Sequence, residues 1–177
     1  MFLDVKELAT HAVKVRKTFL PGTIDYRTQE FRQVEPLHVR ATVELHGQEI
    51  HIFGHFSTSV EQPCARCLEP VVQEIGRDFD LSYQPVSTMA RVEEIALRTQ
   101  DTEVGFYRGD GLFLSDVLAE RVILALPLKP ICKADCRGLC PHCGVNLNEE
   151  TCQCVEESVD PRLKPLARLK EEWWKKQ

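Results

Sequence analysis

The sequence predicts an α+β fold, in which a mainly antiparallel, twisted sheet packs against one helix and precedes a C-terminal cysteine-rich subdomain. Apolar and polar residues alternate over 37–60, which is typical of strands. A segment with helical spacing follows at 115–126. Beyond Pro130, closely spaced Cys, Gly and Pro residues indicate loops instead of a hydrophobic core. We therefore place a sheet domain at 1–130 and the cysteine-rich subdomain at 131–177.

A β-hairpin is the first predicted element. Its first strand carries apolar residues on one face, and the polar residues between them point the other way. Gly47 and Gln48 form the expected two-residue turn, after which the apolar positions resume. Because a slip of one residue would expose the apolar face, the alternation also predicts the register. The expected pairs are Leu45 with Ile50, Val43 with Ile52, Ala41 with Gly54 and Val39 with Phe56.

Further strands are predicted downstream of this hairpin. One runs over about 71–83, with Gly76 as a β-bulge. The first CxxC, Cys64 to Cys67, also lies in the predicted sheet domain. Residues 103–114 are expected to form another hairpin, with its turn at 108–111. The charged segment 89–101 is interpreted as a connection or a short helix.

Two helices are predicted. The first begins at Ser115, placed at its N-cap, and ends at Leu126 because Pro127 follows. The second is short and covers 160–177, where leucines and a tryptophan recur at helical spacing. The residues of the first helix expected to pack on the sheet are Val117, Leu118, Val122 and Ala125.

Composition restricts the class and the location of the protein. With 177 residues and 43% hydrophobic content, the chain is long enough to bury one core. Charges interrupt every apolar stretch, and Asp4, Lys6 and Glu7 stand where a signal peptide needs apolar residues. We therefore expect a cytoplasmic protein without a membrane span. The net charge of -5 argues against a protein that coats nucleic acid by bulk electrostatics.

The eight cysteines occur as four closely spaced pairs. In a reducing compartment such thiols bind metal or react, and they do not form structural disulfides. Four pairs suit two tetrahedral sites, and zinc accepts four thiolates without a geometric preference of its own. The sequence therefore predicts two structural Zn2+ ions. Eight buried reduced thiols are the alternative, but core cysteines are not clustered between Gly and Pro in this way.

Spacing suggests how the cysteines divide. In the segment 140–144, Pro141 sets a turn and Gly144 permits the tight backbone whose amides bond to thiolates. A short loop leads to the last pair, so closing this site costs little chain entropy. The other four follow by elimination, and His142 or a cysteine of the other group stays an alternative ligand. The predicted sets are Cys140, Cys143, Cys152 and Cys154, and Cys64, Cys67, Cys132 and Cys136.

An iron–sulfur cluster is a rival to zinc. The spacing of Cys136, Cys140 and Cys143 matches the motif with which radical enzymes hold such a cluster and bind adenosylmethionine. Those enzymes need a large barrel after the motif, and only 144–177 remain here. We therefore reject the radical enzyme, while a simple iron–sulfur cluster stays an alternative.

A catalytic interpretation of the hairpin is also weaker than a structural one. His51 and His55 lie on its polar face, opposite Glu44 and Arg40, where a histidine and a carboxylate can transfer protons. A solvated strand face is favoured because no nucleophile or phosphate loop converges there. Zinc with four thiolates has no open position for water, so we expect no enzyme.

The C-terminal segment is basic at the end of an acidic chain. It is a candidate phosphate contact, and Trp173 and Trp174 are candidates for stacking on unpaired bases. The alternative is that Trp173 packs the helix onto the sheet and the lysines form its solvated side. The candidate RNA-binding residues are Arg162, Lys164, Arg168, Lys170, Lys175 and Lys176.

Several motifs, taken in order, resemble the YceD family, the large ribosomal RNA subunit accumulation proteins. The resemblance covers most of the chain from Leu37 onward. Five separate motifs in one order are more specific than any single CxxC pattern. They are Cys64-Ala-Arg-Cys67-Leu-Glu, Leu126-Pro-Leu-Lys-Pro130 running into Cys132, Gly138-Leu-Cys-Pro-His-Cys-Gly-Val-Asn-Leu-Asn148, Cys152-Gln-Cys154 and Asp160-Pro-Arg-Leu163.

The resemblance implies a bacterial or organelle-type factor that supports synthesis, processing or stability of 23S rRNA and assembly of the large ribosomal subunit. It implies no enzymatic activity, no small-molecule substrate and no membrane, with ribosomal RNA or a large-subunit ribosomal protein as partner. A zinc-ribbon adaptor that binds proteins without direct RNA contact is the alternative, and the acidic net charge suits it. A metal-dependent nuclease would need an incomplete zinc site with an exchangeable water.

Overall fold

The computed structural model describes residues 1–88 and 104–154 of the chain. Two compact units make up the chain, Met1–Cys136 and Arg137–Gln177. None of the helices within the described ranges has the length and apolar character to cross a membrane. The predicted helix over 160–177 and the charged connection over 89–101 fall outside the described residues.

The first unit is built on a mixed, mostly antiparallel sheet with few helices. Its six strands include a path in the order β2-β4-β5-β6-β7, with β3 beside β5, and β1 and β8 form a separate two-stranded sheet. The elements are β1 (Phe2–Asp4), α1 (Val5–Leu8), β2 (Val13–Phe19), β3 (Arg32–Gln33), β4 (Leu37–His46), β5 (Glu49–Pro63), β6 (Pro70–Pro85), a 3-10 turn (Val86–Thr88), β7 (Val104–Tyr107), β8 (Gly111–Phe113) and α2 (Leu114–Ala125).

The β4–β5 hairpin has the predicted register. His46 pairs with Glu49 across the turn of Gly47 and Gln48, and Val39 pairs with Phe56, the last of the predicted pairs. The core-facing positions of both strands are buried, except Leu45 and Gly54, which are half-buried, and the intervening positions up to Ser57 are exposed or half-buried. The alternation in the sequence therefore located both strands and their core-facing side.

Strand β6 is longer than predicted and has no bulge. Its pairing with β5 is continuous from Ile50 opposite Tyr83 to Pro63 opposite Pro70. Gly76 pairs with Ser57 within this unbroken ladder, so the predicted bulge at Gly76 is wrong. The two strands stay in step because neither one carries an extra residue between the paired positions.

The predicted hairpin over 103–114 is wrong in its pairing, although its turn exists. Arg108 bridges to Gly111 across the turn. Strand β7 then pairs in parallel with β6, whereas β8 pairs antiparallel with β1. The backbone of β1 approaches so closely that a Cβ at Gly111 would collide with the Leu3 carbonyl, and glycine permits this separate pairing.

Helix α2 matches the predicted segment to within one residue at each end, but Ser115 does not cap it. Phe113 is the N-cap and supplies no side-chain hydrogen bond. The amide of Leu114 donates instead to the carbonyl of Met1 at 3.0 Å, so β1 satisfies one of the unpaired amides of the first turn. Of the predicted core residues Val117, Leu118 and Val122 are buried, and Ala125 is partly buried against the core.

One hydrophobic core joins the sheet to α2. Leu37, Val43, Ile50 and Ile52 are fully buried in it together with Leu114, Leu118 and Val122 of the helix. Strand β2 lies outside the predicted elements and adds Val15 and Phe19 to the same core. Its alternation is interrupted by the exposed Lys17, whose ammonium lies 5.1 Å from the centre of the Phe19 ring.

Candidate metal centres

Four cysteines of the first unit meet at the connection between β5 and β6. Cys64 follows directly after β5, and Cys67 lies in the turn before β6. Cys132 and Cys136 come from the segment that follows α2. All four sulfur atoms lie within 4.8 Å of one another. Cys64, Cys67 and Cys136 are buried and Cys132 is exposed, so the cluster lies at the rim of the core.

Backbone hydrogen bonds shape the Cys64–Cys67 turn. The amide of Cys64 donates to the carbonyl of Glu69 at 2.8 Å, and the amide of Leu68 donates to the carbonyl of Cys64 at 3.0 Å. Leu68 has a φ of 63°, in the left-handed region that side chains rarely adopt. This tight turn directs both sulfurs to the same side.

The segment that carries Cys132 and Cys136 is hydrogen-bonded to the Cys64–Cys67 turn. The amide of Ala65 donates to the carbonyl of Pro130 at 2.7 Å. The guanidinium of Arg66 donates to the carbonyls of Ala134 and Cys136, at 3.3 and 2.9 Å. These hydrogen bonds hold together residues that are 70 positions apart in the sequence. They add to the contacts between the sulfur atoms.

The second unit contains the other cluster. The sulfurs of Cys140, Cys143, Cys152 and Cys154 also lie within 4.8 Å of one another. The amide of Gly144 donates to the carbonyl of Cys140, and the amide of Cys140 donates to the carbonyl of Val145, both at 2.9 Å. His142 is exposed and is not part of this group.

Two asparagines complete the second turn. The side-chain oxygen of Asn148 accepts from the amide of Arg137 at 2.9 Å, and that of Asn146 accepts from the amide of Asn148 at 3.1 Å. Both asparagines therefore satisfy backbone groups of the loop. Residues Leu139 and Asn146 form a bridge that closes the loop.

The two CxxC turns share one backbone design. In each, the amide of the first cysteine bonds to the carbonyl five residues later, and its carbonyl accepts from the amide four residues later. The residue after the second cysteine has a positive φ in both, 63° at Leu68 and 75° at Gly144. The two sequences differ at that position, so a CxxC pattern that requires glycine after the second cysteine would match only the turn ending at Gly144.

Amide groups favour one thiolate in each cluster. The N–H groups of Cys67, Arg66 and Cys132 lower the pKa of Cys64 to about 6. The N–H groups of Cys143 and His142 lower the pKa of Cys140 to about 6 in the same way. Hydrogen bonds to the charged form stabilise a thiolate, which is the form that binds metal.

A second thiol in each cluster is held protonated by its surroundings. Desolvation of its sulfur and the neighbouring cysteines raise the pKa of Cys132 to about 12. The side chain of Cys143, followed by desolvation of the sulfur, raises the pKa of Cys154 to about 12. Gathering four thiolates without a cation is therefore opposed by their mutual repulsion, and a bound divalent ion removes that cost.

The sulfur spacing fits a tetrahedral ion. Four sulfurs bound at about 2.3 Å from one zinc ion lie about 3.8 Å from one another. In the first cluster the sulfurs of Cys64 and Cys136 are 4.0 Å apart, and those of Cys67 and Cys132 are 3.6 Å apart. Both clusters can therefore hold a metal ion, and their donor set is compatible with zinc.

The histidines of the polar sheet face have carboxylate partners that the sequence did not indicate. His51 and His55 do lie opposite Glu44 and Arg40 in the β4–β5 register. His55 Nδ1 lies 2.7 Å from Asp78, and His51 Nε2 lies 2.5 Å from Asp80, both on β6. His46, His51 and Glu44 also form a third group with ligand atoms within 4.8 Å.

The predicted RNA-binding residues cannot be placed. They all lie in the C-terminal segment outside the described residues, and their assignment stays a prediction. They are Arg162, Lys164, Arg168, Lys170, Lys175 and Lys176.

Comparison with known proteins finds a matching family. The family model of the large ribosomal RNA subunit accumulation protein YceD matches residues 52–170. That range includes all eight cysteines of the two clusters. No solved structure matches the chain significantly.

Curated relatives come from bacteria and from plants. An uncharacterised protein of Mycobacterium tuberculosis is 31% identical over 72% of this chain and 58% of its own length. The chloroplastic large ribosomal RNA subunit accumulation protein YCED homolog 1 of Arabidopsis thaliana is 23% identical over 99% of this chain and 61% of its own. The Zea mays homolog is 26% identical over 82% and 56%. The chain thus spans less than two thirds of the length of these relatives.

Proposed function

The chain belongs to the YceD family, and from that membership we propose that it is a non-enzymatic, zinc-binding factor that supports 23S rRNA accumulation and large-subunit assembly. The name of the family and of its plant relatives supports the link to ribosomal RNA. The observation that carries the proposal is the pair of four-cysteine clusters within the matched range. The factor acts in the cytoplasm, where thiols stay reduced.

Zinc is the metal we propose for both clusters. Each cluster offers four sulfurs, one of them already favoured as a thiolate, at distances that suit tetrahedral coordination. The first ion is held by Cys64, Cys67, Cys132 and Cys136, and the second by Cys140, Cys143, Cys152 and Cys154. Each ion supplies folding free energy to a region rich in loops.

A scaffold role follows from this coordination. An ion with four thiolate ligands has no open position for a water nucleophile, so hydrolysis is not supported at either cluster. The factor instead presents surfaces to ribosomal RNA or to a large-subunit ribosomal protein. The basic C-terminal residues, Arg162 to Lys176, are one such proposed contact.

Depletion of the protein in its own cells tests the proposal. Gradient profiles should show fewer large subunits relative to small subunits, and 23S rRNA should fall while 16S rRNA is retained. Expression of the wild-type chain should restore both. Normal large subunits and normal 23S rRNA after depletion would contradict the proposal and leave the protein-binding adaptor, which the net charge of -5 favours.

A further inference from the structure

The polar face of the sheet is divided by charge. One row of paired residues crosses four strands. Arg16 of β2 lies opposite Arg40 of β4, and Arg40 lies opposite His55 of β5. On its other side, His55 lies opposite Asp78 of β6. The next row ends on Asp80 in the same way. In these two rows the positive side chains therefore lie on β2 and β4 and the negative ones on β6.

The two aspartates pair with histidines and not with the arginines. Asp78 bonds to His55 and Asp80 bonds to His51. Neither Arg16 nor Arg40 makes a side-chain hydrogen bond or an ion pair with any residue in the described ranges 1–88 and 104–154. Like charges directly opposite each other on neighbouring strands are destabilising. A bound anion would offset that repulsion.

Protection of a sheet edge accounts for only part of this pattern. Charged residues on an edge strand prevent pairing with other chains, and β2 with Lys14 and Arg16 is an edge in the described strand order. Arg40, however, lies on β4, which is covered by β2 on one side and β5 on the other. An interior strand needs no such protection, so Arg40 calls for another explanation.

Two grooves meet at the arginine pair. One, of about 620 Å³, is lined by Arg16, Thr18, His38, Arg40, His55 and Ser57. The neighbouring groove, of about 350 Å³, shares Arg16 and Arg40 and adds Lys14 and Phe53. Phe53 is a half-buried aromatic ring on this otherwise polar face. Its ring lies 5.2 Å, centre to centre, from the ring of His51 and is partly exposed. Cationic side chains beside a partly exposed aromatic ring are the pattern that single-stranded nucleic-acid platforms use.

We propose that this arginine face, consisting of Lys14, Arg16, His38, Arg40, Phe53 and His55, binds single-stranded RNA. Arg16, Arg40 and Lys14 contact phosphates, and Phe53 stacks on an unpaired base. The inference rests on the proposed function and deepens it, because it names the partner as unpaired RNA and assigns it a surface in the described part of the chain. The acidic balance of the whole chain is compatible with it, since the positive charge is local.

RNA-binding measurements on the full, metal-loaded chain test the face. The probe is a labelled single-stranded RNA of about 16 nucleotides, the upper length that one single-strand platform covers. Affinity is measured between about 50 and 200 mM salt. The variants are Arg16→Gln/Arg40→Gln and Phe53→Leu, and the matched control is Arg27→Gln/Arg108→Gln, which removes the same charge from exposed arginines elsewhere.

The expected results separate phosphate contacts from stacking. The Arg16→Gln/Arg40→Gln variant should bind about tenfold or more weakly, and its salt slope should be shallower by about 1.4, because two phosphate contacts are lost. Phe53→Leu should weaken binding about fivefold or more without changing the slope. The control should bind like the wild type.

Three results would overturn the arginine face while leaving the proposed function intact. The first is equal affinity and slope for the wild type and the double-arginine variant. The second is full rescue of 23S rRNA in depleted cells by that variant. The third is an absence of RNA binding by the wild-type chain combined with loss of rescue by the variant, which would indicate an acidic protein on this face. Failure of the proposed function would instead appear as normal 23S rRNA after depletion.

Discussion

Leu68 occupies a backbone position that suits glycine. Its φ is 63°, and a left-handed conformation costs a residue with a Cβ about 1–2 kcal/mol. The side chain is 63% exposed, so little packing would be lost on its removal. We expect Leu68→Gly to raise the free energy of unfolding of the metal-loaded protein by about 0.5–1 kcal/mol, after the entropic cost of glycine is included. Urea unfolding of the variant and the wild type measures this difference in the free energy of unfolding.

The equivalent residue of the second turn provides the control. Gly144 has a φ of 75° and open space around its Cβ position, so strain alone should act when a side chain is added. Gly144→Ala should destabilise the second turn by about 1 kcal/mol. If Leu68→Gly were destabilising, the left-handed conformation at Leu68 would not be a source of strain.

Arg66 is the side chain that supports the first cluster from outside. Its guanidinium bonds to the carbonyls of Ala134 and Cys136 and so fixes the segment that carries two of the sulfurs. Groups that hold metal ligands in place contribute about 10–100-fold to metal affinity. We expect Arg66→Gln to weaken retention of one of the two ions by about tenfold or more, measured by transfer to a chromophoric chelator.

A second arginine shows whether charge alone matters. Arg77 is exposed, and its guanidinium bonds to the carbonyl of the adjacent Gly76. Arg77→Gln removes the same charge without touching the cluster, so its ion release should match that of the wild type. Equal retention by Arg66→Gln and the wild type would exclude a supporting role for Arg66.

At the scale of elements, the close approach of β4 and β5 depends on Gly54. A Cβ at Gly54 would collide with the Arg40 carbonyl and the Ala41 backbone, both of which belong to a paired strand that cannot move freely. We expect Gly54→Ala to destabilise the protein by about 3 kcal/mol or more, at the upper end of the cost of overpacking. Thermal and urea unfolding of the variant and the wild type measure this loss of stability.

Gly76 gives a comparison within the same sheet. Its Cβ position has no neighbour closer than 3.4 Å, which is ordinary contact. Gly76→Ala should therefore change stability by less than about 1 kcal/mol. Similar losses for the two variants would show that the close approach at Gly54 is not what limits substitution.

Elements with a complete local signal could be predicted from the sequence. The β4–β5 hairpin combines strict alternation with a two-residue turn, and α2 has periodic apolar residues before Pro127. The parallel pairing of β7 with β6, by contrast, depends on contacts between segments that no local pattern relates. The same holds for the pairing of β1 with β8 and for the Met1 carbonyl that replaces a Ser115 cap.

At the scale of the molecule, metal-binding cysteine pairs were easier to predict than the way in which the pairs combine into two clusters. Their pairing in the sequence indicates metal-binding turns, but the return of Cys132 and Cys136 to the β5–β6 turn depends on the whole sheet and on α2. The basic face on β2 and β4 was missed for a related reason. Arg16 and Arg40 are 24 residues apart, and only the register of β2 brings them together.

The central claim is that each unit holds its own ion with four sulfurs. Zinc-edge X-ray absorption of the protein as purified, combined with metal analysis of the same sample, tests it most directly. We expect two zinc ions per chain, each surrounded by four sulfur atoms at about 2.3 Å. A folded sample without metal, a first shell containing nitrogen or oxygen, or cysteines oxidised in pairs would contradict the account.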